Sequence, residues 1–387
     1  MTEISPVPGL DAIRLQRIVA TMEADVAQGK YHGAVLMVAR HGQIGLRAAV
    51  GHAVLETHTP MRLDHVFSLF STTKAFTNVL VLRAIEQGRF ALTTRVVDII
   101  PEFAGGIREN ITVWHLLTHS SGVPFMVSPV PGMNLDKLDD IIAAICKNVQ
   151  AVEQPGIDVR YCPLVGHALM GEMLRRTDPK QRRFRQIMQE DLFAPLKMED
   201  AAVGVRADLK ARHIFPVFMQ PLPFGHPSSG NYGLHSAFAE EHAEMPWVGC
   251  IASVPALFRF AEMLRCGGEL DGARILSPAT IELATRNWTG DKPNGMFKEI
   301  CLSQGWDIMP AFLGLGFLLR GDSVQHLHYG SLPSPRTFGN MGAGSSLFWV
   351  DPERQITFVL LSSGVMNEPD NMRRCQKLSD MAVAAAI

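Results

Sequence analysis

The 387-residue chain has little of what would give it an obvious partner or a covalent staple. Its 36 Lys+Arg against 38 Asp+Glu leave a formal charge of −2, so no basic excess points to nucleic acid. No apolar run approaches the ~18 residues that a membrane-spanning helix needs, and neither nucleic acid nor membrane is expected as a partner. The six cysteines (Cys146, Cys162, Cys250, Cys266, Cys301 and Cys375) are scattered, without a CxxC pair or zinc-like spacing. They read as reduced thiols, and no metal or cofactor is expected. The first residues lack the basic head and apolar core of a secretory leader, so the expected location is the cytoplasm. Aromatic residues make up only 7%. Gly-x-Ser-x-Gly is missing, which excludes a nucleophile elbow; a P-loop and a dinucleotide-binding Gly-x-Gly-x-x-Gly are missing too. His115 and His119, four apart, have a spacing compatible with two metal ligands. The glutamate of the metalloprotease motif is absent, however, and structural roles are expected for both.

What remains is a chain rich enough in apolar residues, at 47%, to bury a large core. Apolar residues at Leu10, Ile13, Ile18, Met22 and Val26 follow a helical period over 10–29. Two apolar runs, Ala34–Arg40 and Ile44–Val50, flank His41 and Gly42 and predict a hairpin. Near the other end, Ser346–Val350 and Ile356–Leu361 predict strand, turn, strand, followed by a closing helix over about 369–386. The middle looks mostly helical, with Pro- and Gly-rich loops at 122–134 and 215–234. Strands at both ends around a helical middle imply an α+β fold. One antiparallel sheet is assembled from both chain ends and flanked by helices, with a mostly helical region inserted. Strict βαβ alternation and internal repeats are absent.

Three stretches carry chemistry. Ser71 and Lys74 form the chain's Ser-x-x-Lys, followed by a helical pattern to Gly88. Ser71 thus falls at a helix N-terminus, where free N–H groups favour negative charge, and one turn brings Lys74 beside it. A desolvated amine there can take the serine proton. A plain N-cap serine with a solvated lysine is the competing reading. Tyr161 lies between Gly156 and Pro163, just before a helix over about 164–175. Facing the Ser71–Lys74 pair, its hydroxyl would be a general base, with the cation favouring phenolate; loop packing is the alternative. The small residues of 338–345 lead into the penultimate strand and leave room for a substrate. A backbone N–H there, beside that of Ser71, would make an oxyanion hole.

In this order the three elements resemble the serine β-lactamase and penicillin-binding-protein superfamily, on the class C β-lactamase-like branch that includes the family VIII carboxylesterases. The segments 111–122 and 258–277 and the final hairpin with Trp349 and Pro352 are similar as well. The resemblance covers about 11–386. It implies a β-lactamase/transpeptidase-like fold in one catalytic unit, 11–386. Residues 11–60 and about 300–386 would form the sheet subdomain and about 61–299 the helical one. Ser71 would be the nucleophile, Lys74 its activator and Tyr161 the base. The N–H groups of Ser71 and Ala343 would be the oxyanion donors. The reaction would be acyl transfer through an ester on Ser71, with no cofactor.

Two departures shape the expected substrate. Pro163 stands where the family has the Asn or Ser of Tyr-x-Asn or Tyr-x-Ser. Asn340, Met341 and Gly342 replace Lys-Thr-Gly or His-x-Gly, removing a cation that commonly meets a carboxylate; a buried carboxylate without its cation is costly. A small-molecule ester, neutral and with small or apolar groups, is therefore expected, bound by Asn340 and Gly342, with Phe125 and Trp247 on the walls. The loop Pro221–His226 would add to these walls. An acyltransferase using the same acyl-enzyme, a β-lactamase or amidase, and an inactive binding protein remain open, as do the oligomeric state and which of Lys74 and Tyr161 first takes the proton.

Overall fold

The computed structural model describes residues 2–220 and 238–387. Residues Pro221–His226 of the expected pocket loop lie outside this range. The N-terminal helix, Ala12–Ala27, starts where the Asp11 carboxylate accepts the N–H groups of Ile13 and Arg14. Strands Gly33–Arg40 and Gln43–Val54 are joined by His41 and Gly42, both with positive φ (51° and 77°). This left-handed pair matches the twist of a two-residue hairpin. Strands Phe338–Gly342, Ser346–Asp351 and Ile356–Ser363 follow near the other end, and helix Glu368–Ala384 closes the chain.

The two chain ends meet at the centre of one sheet. Ile356–Ser363 pairs antiparallel with Gly33–Arg40, from Ile356 opposite Arg40 to Ser363 opposite Gly33. Outward from that seam lie Gln43–Val54 and Thr2–Ile4 on one side. Ser346–Asp351, Phe338–Gly342 and the short edge Leu318–Leu319 lie on the other. Every pairing along this path is antiparallel, as the sequence implied.

Period-two alternation divides the core between the sheet's faces. Leu36, Val38, Leu347, Trp349, Phe358 and Leu360 pack with Leu15, Ile18, Met22 and Leu378 of the two terminal helices. Val35, Met37, Phe348, Val350, Val359 and Leu361 join the core of the helical region. Because both faces are covered, these strands read as continuous apolar runs, and each large buried side chain contributes about 1.5–3 kcal/mol.

Two features differ from the sequence reading. Phe338–Gly342 is itself a strand, not a loop leading into one. Its glycines obscured this, and at Gly342 the reason is close approach: a Cβ there would lie 2.2 Å from the Leu69 carbonyl oxygen. The middle region also holds a second sheet, ordered Ala201–Val203, Cys250–Ser253, Val66–Ser68 and His213–Ile214. Strands of two to four residues are too short to register a period. No helix among the described residues is long and apolar enough to cross a membrane.

Candidate active site

Strand Val66–Ser68 of the small sheet delivers the chain to the nucleophile. Leu69 N–H donates to the Cys250 carbonyl at 2.9 Å, and Phe70 then turns through a left-handed conformation (φ 49°). A non-glycine residue in this region costs on the order of 1–3 kcal/mol and persists only where its surroundings hold it. Here the Phe70 ring packs edge-on against Phe238, with centroids 5.0 Å apart. A single 3₁₀ turn, Phe70–Thr72, leads into helix Thr73–Glu86, so Ser71 stands at its N-terminal entrance. The helix is anchored by Thr77 Oγ1 donating to the Pro246 carbonyl (2.7 Å) and by Thr73 Oγ1 accepting from Cys250 N–H (3.0 Å).

Lys74 and Tyr161 both converge on Ser71. Lys74 Nζ lies 3.0 Å from Ser71 Oγ and donates to the Trp247 carbonyl oxygen at 2.8 Å. The Tyr161 hydroxyl, on the loop before helix Val165–Arg176, lies 2.8 Å from Ser71 Oγ. A solvated lysine is ruled out: Lys74 is 3% exposed. It has no carboxylate partner among the described residues, and burial lowers its pKa to about 7. The same burial pushes the Tyr161 phenol well up, against a smaller opposing effect of the Ser71 hydrogen bond. This direction runs against the phenolate expected from the sequence. The tyrosine is held neutral because a half-neutral amine cannot offset the desolvation of a buried phenolate. The group poised near neutral pH is the amine.

A hydrogen-bond relay ties the last sheet strands to the nucleophile turn. Ser346 Oγ donates to the Leu69 carbonyl (2.7 Å) and lies 2.9 Å from Thr72 Oγ1. This holds the turn after Gly342, with Ala343, against the Ser71 turn. Among the described residues, neither the Ser71 N–H nor the Ala343 N–H has a hydrogen-bond acceptor. Two unpaired backbone donors of this kind are what an oxyanion requires.

Ser71, Lys74 and Tyr161 open on a narrow cavity of about 30 Å³. Its apolar lining comes from Val159, Met296, Leu313, Phe317, Leu318 and Met341. Among the described residues, its remaining polar side chains are Asn78, His119, Asn294 and Asn340, with no carboxylate and no arginine. Of the expected wall residues, Asn340 is present. Gly342 lies behind the nucleophile turn, against Leu69 and Phe70. Trp247 is corrected: its ring is core, 2% exposed, and its contribution is the carbonyl that holds Lys74. Phe125 is 47% exposed on its loop and is not among the residues lining this cavity.

Sequence reasoning missed two amides, Asn78 and Asn294, and a histidine. Asn78, one turn beyond Lys74 on the nucleophile helix, donates from Nδ2 to the Gly316 carbonyl at 2.8 Å. Its Oδ1 must then accept from His167 Nε2 (3.0 Å), which fixes that ring's tautomer. His119, in a left-handed conformation (φ 52°), sets its ring 5.0 Å from that of Tyr161. Burial first and the Lys74 charge second lower its pKa to about 3, and His167 is lowered well below its ordinary value for the same reasons. Both rings are thus neutral near pH 7. His115 acts away from the cavity, where its Nδ1 accepts the Thr112 N–H at 3.0 Å and caps its own short helix. The left-handed backbone at His119 was the one missed feature with a sequence-visible setting, because it ends a short helix just before Ser120, Ser121 and Gly122.

Replacing Tyr161 with Phe keeps the ring between Lys74 and His119 and removes only the hydroxyl. Turnover of an activated ester is expected to fall by about 10²–10³, the range for loss of a positioned proton donor. Thermal stability should change little. Steady-state kinetics with a melting curve checks both.

Comparisons with known proteins agree with this architecture. The family model described as Beta-lactamase matches residues 18–378. Esterase EstB of Burkholderia gladioli is 39% identical over 134 residues, covering 33% of this chain and 34% of that protein. The chain thus matches only about a third of that esterase's length. Esterase/beta-lactamase LipL of Mycobacterium tuberculosis is 24% identical over 366 residues, covering 87% of this chain and 78% of the other. Among solved structures, a penicillin-binding protein homologue from Caulobacter crescentus superposes with a TM-score of 0.78 at 25% identity, covering 98% of this chain and 100% of that one. A family VIII carboxylesterase superposes with a TM-score of 0.77 at 21% identity, covering 99% and 100%. The chain belongs to the Beta-lactamase family, within the superfamily of serine β-lactamases and penicillin-binding proteins.

Proposed function

We propose that the protein is a serine hydrolase that cleaves neutral carboxylic esters through an acyl-enzyme on Ser71. The observation that carries the reading is the double engagement of Ser71 Oγ, by Lys74 at 3.0 Å and Tyr161 at 2.8 Å, beside a cavity that, among the described residues, holds no cation other than Lys74 itself. In the first step the neutral Lys74 amine accepts the Ser71 proton as Oγ attacks the ester carbonyl carbon. The oxyanion meets the N–H groups of Ser71 and Ala343. Tyr161, neutral, donates its proton to the leaving alcohol oxygen, and the phenolate so formed is reprotonated by the neighbouring Lys74 ammonium, whose Nζ lies 5.4 Å from the phenol ring centroid. Water then attacks the acyl ester with the same groups in reverse.

The family houses β-lactamases as well as esterases, and the cavity favours the second. A β-lactam carries a carboxylate, whose desolvation next to Asn340 would go uncompensated. EstB, described as an esterase, supports the same side, whereas LipL, described as esterase/beta-lactamase, is named for both. The expected kcat/KM for p-nitrophenyl butyrate exceeds that for the cephalosporin nitrocefin by about 10² or more, the worth of one unpaired buried charge at ~3 kcal/mol. Nitrocefin turnover equal to or faster than the ester's would overturn the assignment.

A further inference from the structure

Resting on the ester-hydrolase reading, a narrower substrate class follows from two side-chain amides in the cavity. Asn294 is 4% exposed, and its Oδ1 is occupied by the Met296 N–H at 3.0 Å. Its Nδ2 has no acceptor among the described residues and lines the same cavity as Ser71. Asn340 is 8% exposed; its Oδ1 accepts the Met341 N–H at 2.8 Å. Its Nδ2 reaches the Gly316 carbonyl only at 3.4 Å, the outer limit of a hydrogen bond, and keeps a second N–H free. In both residues the protein has consumed the acceptor and left the donor. Each amide is therefore fixed in one orientation, with its NH₂ available to a ligand. Asn78, the third amide, is satisfied at both ends and takes no part.

Donors with hydrogen-bonding capacity left over, one on each amide, favour a ligand that brings an acceptor over one that offers only methylenes. We infer that the preferred substrates are neutral esters carrying a second uncharged acceptor, a ketone, amide or ester carbonyl, which the Asn294 and Asn340 amides bind while Ser71 attacks the scissile carbonyl. A carboxylate arm is a different case. It would accept the same hydrogen bonds, but among the described residues its charge would meet no cation except Lys74, whose amine must be neutral to activate Ser71.

The test compares p-nitrophenyl pentanoate with p-nitrophenyl 4-oxopentanoate, nearly equal in size and differing by one ketone. Each kcat/KM is divided by the uncatalysed hydroxide rate of the same ester to remove intrinsic reactivity. The expected normalised preference for the oxo ester is about ten-fold or more, one hydrogen bond's worth. Asn294→Asp keeps the acceptor that caps Met296 and replaces the free donor with an oxygen, so the preference should collapse to about one or invert. Asn340→Asp should act in the same direction. p-Nitrophenyl hemisuccinate should be slower than the oxo ester. A wild-type ratio near one, or a ratio that survives both substitutions, overturns the inference while Ser71-dependent turnover leaves the hydrolase reading standing. Absence of turnover of either ester by the wild type would remove that reading and the inference with it.

Discussion

Replacing Ser71 with Ala should reduce hydrolysis of p-nitrophenyl butyrate by a factor of about 10⁴ or more, leaving at most the slow background of bound water. The size of the effect follows from the arrangement. Lys74 and Tyr161 both reach Oγ, and among the described residues no hydroxyl besides the Tyr161 phenol lines the cavity. Groups that act as one unit lose nearly everything when the nucleophile goes. The fold should not suffer, because Ser71 is only partly buried and its turn is held by backbone bonds and by Thr72, Ser346 and Leu69. A circular dichroism melt close to that of the unsubstituted protein is expected. Loss of stability together with loss of activity would instead point to a structural serine.

Lys74→Met separates a catalytic amine from a structural one more sharply, because its consequences for rate and for stability run in opposite directions. Activity should fall about 10³-fold or more, since among the described residues the one group at Ser71 whose proton affinity lies close to neutrality is gone. The unsubstituted enzyme should show kcat/KM rising with pH and levelling off above about 7, because the amine must be neutral to accept the Ser71 proton. Below that point the rate should drop ten-fold per pH unit. In the variant this limb should vanish. The sign for stability follows from linkage. The pKa of Lys74 is about 7 when folded and near 10.5 when unfolded, so between those values the unfolded chain binds the extra proton. Stability therefore rises with pH across this window, and below pH 7 the buried ammonium costs on the order of 5 kcal/mol. Methionine removes that cost but abandons the Trp247 carbonyl, an unsatisfied acceptor worth about 1–3 kcal/mol. At pH 7 and below, Tm should be unchanged or higher; a Tm clearly lower at acidic pH would contradict a desolvated amine.

Much of this is legible in the sequence. The strands at both chain ends can be read because they alternate between two covered faces and therefore run almost wholly apolar. Ser71, Lys74 and Tyr161 can be read because reactive residue types, a helix start and turn residues coincide around them. The unread parts have physical reasons. Trp247 contributes a backbone carbonyl, and no side-chain identity advertises that. Its indole led instead to a wall position that the core had already taken. Phe125 followed the same logic, an aromatic near the site that remains on a loop surface. The phenolate expected at Tyr161 assumed a fixed positive charge at Lys74, and burial acts on both groups at once, moving the amine toward neutrality and the phenol away from ionisation. Asn294 lies 223 positions from Ser71 and belongs to no motif; only the packing of distant loops onto the nucleophile helix makes it a cavity residue.

The most direct test of the central claim is covalent. The protein is treated with an excess of a p-nitrophenyl alkylphosphonate, whose phosphorus is captured by a serine activated for attack on an ester, and is then digested and read by mass spectrometry. One equivalent of alkylphosphonyl group should be found on the peptide bearing Ser71. Its formation should slow below pH 7 and be absent in Lys74→Met. A protein that stays unlabelled while correctly folded, or one labelled at a different residue with Ser71 intact, would contradict an acyl-enzyme at Ser71.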